Sequence, residues 1–122
     1  MKRGEIYWIE PSVYRPVVGS VQKQRRPAVI VSNDLNNKYA KTLEVVFLST
    51  APKKDIPTHV IIRSTPRIST ALCEQIQTVS DEQIGEYMGT CSAAEMAAID
   101  ACMLISLGIE QPAIEGSPLK LR

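Results

Sequence analysis

The chain has 122 residues, 44% of them apolar and 22% charged, with a formal net charge of +1. That balance supports one globular core but not two. No apolar run approaches the roughly 18 residues needed to cross a bilayer. The start, Met1-Lys2-Arg3-Gly4-Glu5, has no apolar signal core, so a cytoplasmic protein with no membrane partner is expected. The three cysteines, Cys73, Cys91 and Cys102, are odd in number and widely spaced. They argue against a zinc site or disulfide framework and for buried thiols in a reducing compartment. The charge is unevenly placed. Residues 1–63 hold 11 Lys/Arg and 5 Asp/Glu, net +6, and residues 64–122 hold 3 and 8, net −5. A basic front half suits an anionic partner.

In chain order, Glu5-Ile6-Tyr7-Trp8-Ile9 reads as a strand that ends before Pro11. A long link follows from Tyr14 to Gln24, basic and polar enough to be a functional, phosphate-accepting loop. Pro27 to Ser32 is a short apolar run and reads as the second strand, with Asn33 to Asn37 as a turn. Leu43 to Thr50 and Thr58 to Arg63 read as further strands, separated by a turn at Ala51 to Asp55. After a turn at Ser64-Thr65-Pro66, Thr70 to Val79 is the fifth strand, followed by a short helical turn near Ser80 to Gln83. Ser92-Ala93-Ala94-Glu95 is a capping box that opens a helix. Its apolar stripe would run through Met96, Ile99, Met103 and Ile105 to Leu107, with Gly108 as the stop. Five strands and a terminal helix imply a small, strongly bent antiparallel sheet or barrel with the helix packed on it. Residues 1–109 are expected to form one domain and 110–122 a loose tail.

Familiar catalytic signatures are absent: there is no glycine-rich phosphate cradle, no HExxH and no GxSxG. The single histidine, His59, excludes a two-histidine nuclease site, though it could still act alone as a base. Arg25-Arg26-Pro27 is more informative, because it stands at the mouth of an apolar strand that anchors its backbone. A guanidinium is a planar fork of donors matched to phosphate oxygens, and it can stabilise charge developing on a phosphorane-like transition state. Ser49-Thr50 ends a strand before Pro52-Lys53-Lys54 and could donate to a phosphate oxygen. Glu74-Gln75 offers a carboxylate for acid–base work and an amide for base recognition. Each of these also has a bland reading as solvated edge or turn residues.

In this order, the pieces resemble the MazF/PemK family of toxin endoribonucleases. The matching segments are Lys2 to Trp8, Gly19-Ser20-x-Gln22, Arg26 to Asn33, Ser49-Thr50, Pro57 to Val60, Glu74 to Thr78 and Ile105 to Gly108, spanning about residues 2–109. The resemblance implies a mainly β fold with some α: an SH3-like antiparallel barrel of the CcdB/PemK type with a C-terminal helix, assembled as a homodimer. It implies cleavage of single-stranded RNA with no metal or other cofactor. The ribose 2′-hydroxyl attacks the adjacent phosphate, leaving a 2′,3′-cyclic phosphate and a 5′-hydroxyl. It also implies a cognate antitoxin whose acidic, partly disordered tail occupies the RNA groove.

By the same resemblance, the catalytic Arg falls on Arg26 and the catalytic Thr on Thr50, with Ser49 as a rival. RNA contacts fall on Ser20, Glu74 and Gln75. Gln22, Lys23, Arg25, Lys53, Lys54 and Gln77 complete the expected RNA-binding set, with Glu74 and His59 as possible auxiliaries. One departure stands out: the family's frequent Gly-Ser-Glu-Gln is Gly19-Ser20-Val21-Gln22 here. Arg is essentially never deprotonated in a protein, so the loss of a nearby carboxylate leaves the general base open between Glu74 and catalysis by positioning and charge alone. Two other outcomes stay in view. Related barrels of this fold poison DNA gyrase by binding it, and a degenerate chain would bind RNA or antitoxin without cutting.

Overall fold

A computed structural model describes residues 1–11, 25–51 and 54–110. Ser20, Val21, Gln22, Lys23 and Lys53, and the expected tail beyond Glu110, lie outside the described residues.

The elements run β1 (Glu5–Ile9), β2 (Arg26–Ile30), α1 (Asp34–Tyr39), β3 (Thr42–Ser49), β4 (His59–Ile62), β5 (Ser69–Ser80), a 3₁₀ turn (Asp81–Gln83), β6 (Ile84–Thr90) and α2 (Ala93–Leu107). The strands form one antiparallel sheet in the order β4-β5-β3-β2-β1-β6. The central strands are buried on both faces, which is why they read as continuous apolar runs rather than alternating ones. On one face Val29, Val46, Leu48 and Ile62 pack with Ile99 of α2, flanked by Met96, Cys102 and Met103. On the other, Ala28, Ile30, Val45 and Phe47 form a second cluster.

The sheet curls into an open barrel. Its edges, β4 and β6, are far apart in strand order, yet they approach at one point. A Cβ on Gly89 of β6 would stand 2.7 Å from the Ser64 carbonyl oxygen, just past β4. Only a residue without a side chain fits there. Glu95 holds the same corner: its carboxylate accepts from the Arg63 N–H (2.6 Å), the Ser64 hydroxyl (2.5 Å) and the Ser92 N–H (2.8 Å). The capping box read from the sequence therefore starts α2 and also ties it to the end of β4.

Three expectations need correction. Asn33 to Asn37 is not a turn but the start of a helix, α1. The Asn33 side chain accepts from the Asn36 N–H, and Asn37, buried, donates from Nδ2 to the Ser32 carbonyl at 2.9 Å. Tertiary contacts thus sustain a helix too short to be stable alone. The second correction is β6, a strand that the five-strand reading omitted. Two glycines, Gly85 and Gly89, dilute its pattern: a Cβ on Gly89 would clash with the Ser64 carbonyl, and one on Gly85 would sit tightly, 3.1 Å from the Trp8 carbonyl oxygen. The stripe on α2 also ends sooner than expected, since Ile105 and Leu107 are exposed.

Other motif residues prove structural. Arg3 donates from Nε to the Val31 carbonyl (2.9 Å) and pairs with Asp100 of α2, while its N–H donates to Asp34 (2.7 Å). Gly4 adopts φ +94°, a conformation side chains disfavour, and hydrogen-bonds to Ile30 and Cys91 on either side. The thiols behave as expected: Cys73 and Cys91 are buried and Cys102 partly so, all unpaired by disulfide, and burial pushes the first two up to about 12. Among the described residues, no helix is long and apolar enough to cross a membrane.

Candidate active site

The ends of several strands meet around a cleft of about 430 Å³. β1 contributes Trp8 and β2 contributes Arg26 and Pro27, with Arg25 just before it. The end of β3 contributes Leu48, Ser49 and Thr50, the β4–β5 turn contributes Thr65, Pro66 and Arg67, and β6 contributes Met88. Three arginines line this space, and no Asp or Glu among the described residues does. An anion is the natural occupant.

Arg26 is aimed by β3. Its guanidinium donates to the Leu48 carbonyl at 3.2 Å and stands over the Phe47 ring, 5.3 Å from the centroid. Phe47 is buried, so this cation–π contact rests on a fixed surface. Burial lowers the Arg26 pKa from its ordinary value. Arg25 packs over the Trp8 ring at 4.3 Å and lies 3.9 Å from Glu10. That ion pair is half-exposed and weak, leaving the Arg25 charge largely available to a ligand. Pro27 completes the arrangement by fixing φ at the strand entrance.

Ser49 and Thr50 both reach the cleft but differ in state. The Ser49 hydroxyl already accepts from the Ala51 N–H at 3.2 Å and closes the turn. Thr50 is exposed at the strand end.

Glu74 and His59 are brought together, but away from this cleft. The register of β5 is irregular there: between the pairs Val46–Ile76 and Leu48–Ala71, β3 advances two positions and β5 five. Glu74 and Gln75 fall within that irregularity. Glu74 accepts from the Thr58 hydroxyl at 3.1 Å and pairs with His59 Nε2 at 3.1 Å. His59 Nδ1 lies 2.8 Å from the Lys54 carbonyl, which can only accept, so that nitrogen carries a hydrogen. Both ring nitrogens are thus engaged. Burial raises the Glu74 pKa, but hydrogen bonds from its own N–H, His59 and Thr58, with the His59 charge, outweigh that and hold it below the ordinary range. The cluster pins the segment before β4. Gln75, Gln77 and Lys54 do not line the cleft either.

A family model described as PemK-like, MazF-like toxin of type II toxin–antitoxin systems matches residues 2–107. The chain belongs to this family of toxins. A relative named Endoribonuclease MazF, from Staphylococcus epidermidis, is 36% identical over 114 residues, covering 89% of this chain and 92% of that protein. A solved mycobacterial endoribonuclease in complex with its cognate antitoxin matches with a TM-score of 0.75 at 26% identity, over 92% of this chain and 99% of its own. MazF from Deinococcus radiodurans shares the fold, with a TM-score of 0.75 at 19% identity, over 89% of this chain and 97% of its own.

For this MazF-like toxin, sequence alone assigns neither Trp8 nor Arg67 to the site. Trp8 belongs to the first strand and the Lys2 to Trp8 motif, and its place beside Arg25 depends on the β1–β2 pairing of Trp8 with Pro27. Arg67 follows Pro66 in what reads as an ordinary turn. Only the curl of the sheet carries it to the arginines of β2.

Proposed function

We propose that this chain is the toxin of a type II toxin–antitoxin system and acts as a metal-independent endoribonuclease on single-stranded RNA in the cytoplasm. The observation that carries the reading is the Arg26 guanidinium, held by Leu48 and Phe47 in a cleft lined by arginine and hydroxyl side chains. The ribose 2′-hydroxyl attacks the adjacent phosphorus, the P–O5′ bond breaks, and 2′,3′-cyclic phosphate and 5′-hydroxyl ends result. Arg26 faces the phosphoryl oxygens as negative charge builds on them. The 2′-hydroxyl gives up one proton to solvent and the departing 5′-oxygen takes one back, so the step is proton-neutral while Arg26 keeps its charge throughout. Thr50 donates to a phosphoryl oxygen, and Arg25 holds the strand.

The same basic cleft suits an antitoxin's acidic tail, which would block the RNA by occupying it. That the mycobacterial endoribonuclease was solved with its cognate antitoxin supports this partner. The protein acts as a homodimer in this reading, in keeping with large apolar side chains left exposed on the monomer, among them Ile61, Ile68, Ile105 and Leu107.

The test is a long RNA incubated with purified protein in EDTA. Cleavage is expected to survive the chelator and to leave cyclic phosphate ends, and Arg26→Ala is expected to lose about 10²–10³ in rate. Intact RNA, or equal cutting by the variant, overturns the proposal.

A further inference from the structure

We propose that Arg67 is a second phosphate-binding residue of the cleft, gripping the phosphate that flanks the scissile one; this rests on the nuclease reading above. Arg67 is some forty positions from Arg26 in the chain, yet it lines the same space. Its backbone is fixed. The Arg67 carbonyl accepts from the Thr65 hydroxyl (2.5 Å) and the Ser69 hydroxyl (3.1 Å), and Ser64 at the base of the turn is tied to Glu95 (2.5 Å). Pro66 restricts the turn further. A guanidinium on such a support loses little backbone freedom when it binds.

The electrostatics point the same way. Among the described residues, no carboxylate lies within ion-pair distance of Arg67, and none lines the cleft. Its charge is therefore not neutralised locally, and its planar fork suits phosphate oxygens. A single strand is a row of phosphates. With one of them at Arg26, a neighbouring phosphate that follows the cleft meets Arg67, presented by a different element.

The two arginines divide the work. Arg26 is partly buried against Phe47 and faces the phosphate whose charge distribution changes. Arg67 is exposed and faces a phosphate that the reaction leaves unchanged. A contact equal in the ground and transition states lowers KM and leaves kcat alone.

The experiment measures cleavage of an unstructured RNA across a range of salt. Arg67→Ala is expected to raise KM about five- to tenfold, with the loss falling on KM rather than kcat. It should also reduce the slope of log KM against log salt by about 0.7, the counterion release of one phosphate contact on a single strand. Arg67→Lys keeps the charge and should keep most of the slope. The same factor and slope are read from binding of fluorescent RNA to Arg26→Ala protein with and without Arg67→Ala. Unchanged KM, affinity and slope overturn the assignment. So does an altered cleavage sequence at unchanged slope, which would mark a base contact. A wild type that binds RNA without cutting it defeats the nuclease reading alone, and the binding slope then decides Arg67. A wild type that binds no RNA defeats both.

Discussion

The Arg26 guanidinium lies over Phe47, 5.3 Å from the ring centroid, while the next residue of β3, Leu48, accepts its hydrogen bond at 3.2 Å. Two consecutive residues of one strand therefore aim an arginine of its neighbour. A desolvated cation–π contact contributes up to about 2 kcal/mol. Phe47→Leu keeps an apolar core residue but removes the ring. We expect kcat to fall about tenfold with KM nearly constant, and stability to fall by about 1 kcal/mol. Single-turnover kinetics beside urea unfolding would show it; an unchanged kcat would mean that the Phe47 ring does not orient Arg26.

The Glu95 carboxylate joins α2 to the end of β4 through Arg63, Ser64 and Ser92. Glu95→Ala removes one cap and two long-range hydrogen bonds, an expected loss of about 2 kcal/mol. Because Ser64 also begins the turn that carries Arg67, RNA affinity should fall with it. A variant of wild-type stability by urea denaturation would rule out this role for the corner.

How much of this was legible in the sequence depended on range. Local devices could be read directly: the Ser92/Glu95 box, the helical turn capped by Ser80, and the apolar runs of β2 and β3. What could not be read was set by contacts across the sheet. β6 has no place in the five-strand reading, and Gly89 is there because the Ser64 carbonyl occupies the space its side chain would fill. α1 looked like a turn because Asn33, Asp34, Asn36 and Asn37 are turn formers, and its helix depends on Ser32 and Arg3. At the site, the Arg25-Arg26-Pro27 motif alone favours a solvated edge charge, and only its match to the family's ordered motifs raises Arg26 above that reading. Arg67 could not be singled out, since nothing near it in the chain indicates that its turn folds back over the ends of β2 and β3.

The Glu74–His59 pair gives a pH signature. The Glu74 pKa is lowered in the folded protein relative to an unfolded carboxylate near about 4.3. Its contribution is therefore fully present above that value and is lost as pH falls through the lower folded one. Glu74→Gln should be less stable than wild type at pH 7, and the gap should close in acid. Urea midpoints at the two pH values would test this, and a gap that persists below the folded pKa would contradict it. Glu74 is partly exposed, so solvent screening keeps the effect modest.

Ser49 and Thr50 offer the sharpest test of the catalytic assignment, because they are adjacent and both border the cleft. In a regular strand, neighbours face opposite ways, but β3 ends at Ser49 and the chain turns there. The Ser49 oxygen already accepts from the Ala51 N–H, an arrangement that shapes the turn. Thr50 is exposed beside the arginines. If Thr50 donates to a phosphoryl oxygen as charge grows there, Thr50→Val removes the donor with little change of shape. Its kcat should then fall by about 10²-fold, with stability unaltered. Ser49→Ala should do the reverse, losing about 0.5–1 kcal/mol of stability and only a few-fold in kcat. Thr50→Ser restores the hydroxyl and should recover most of the rate. If Ser49→Ala carries the larger loss in kcat, the roles of the two hydroxyls are exchanged, and the turn at Ala51 would have to open for Ser49 to reach the phosphate.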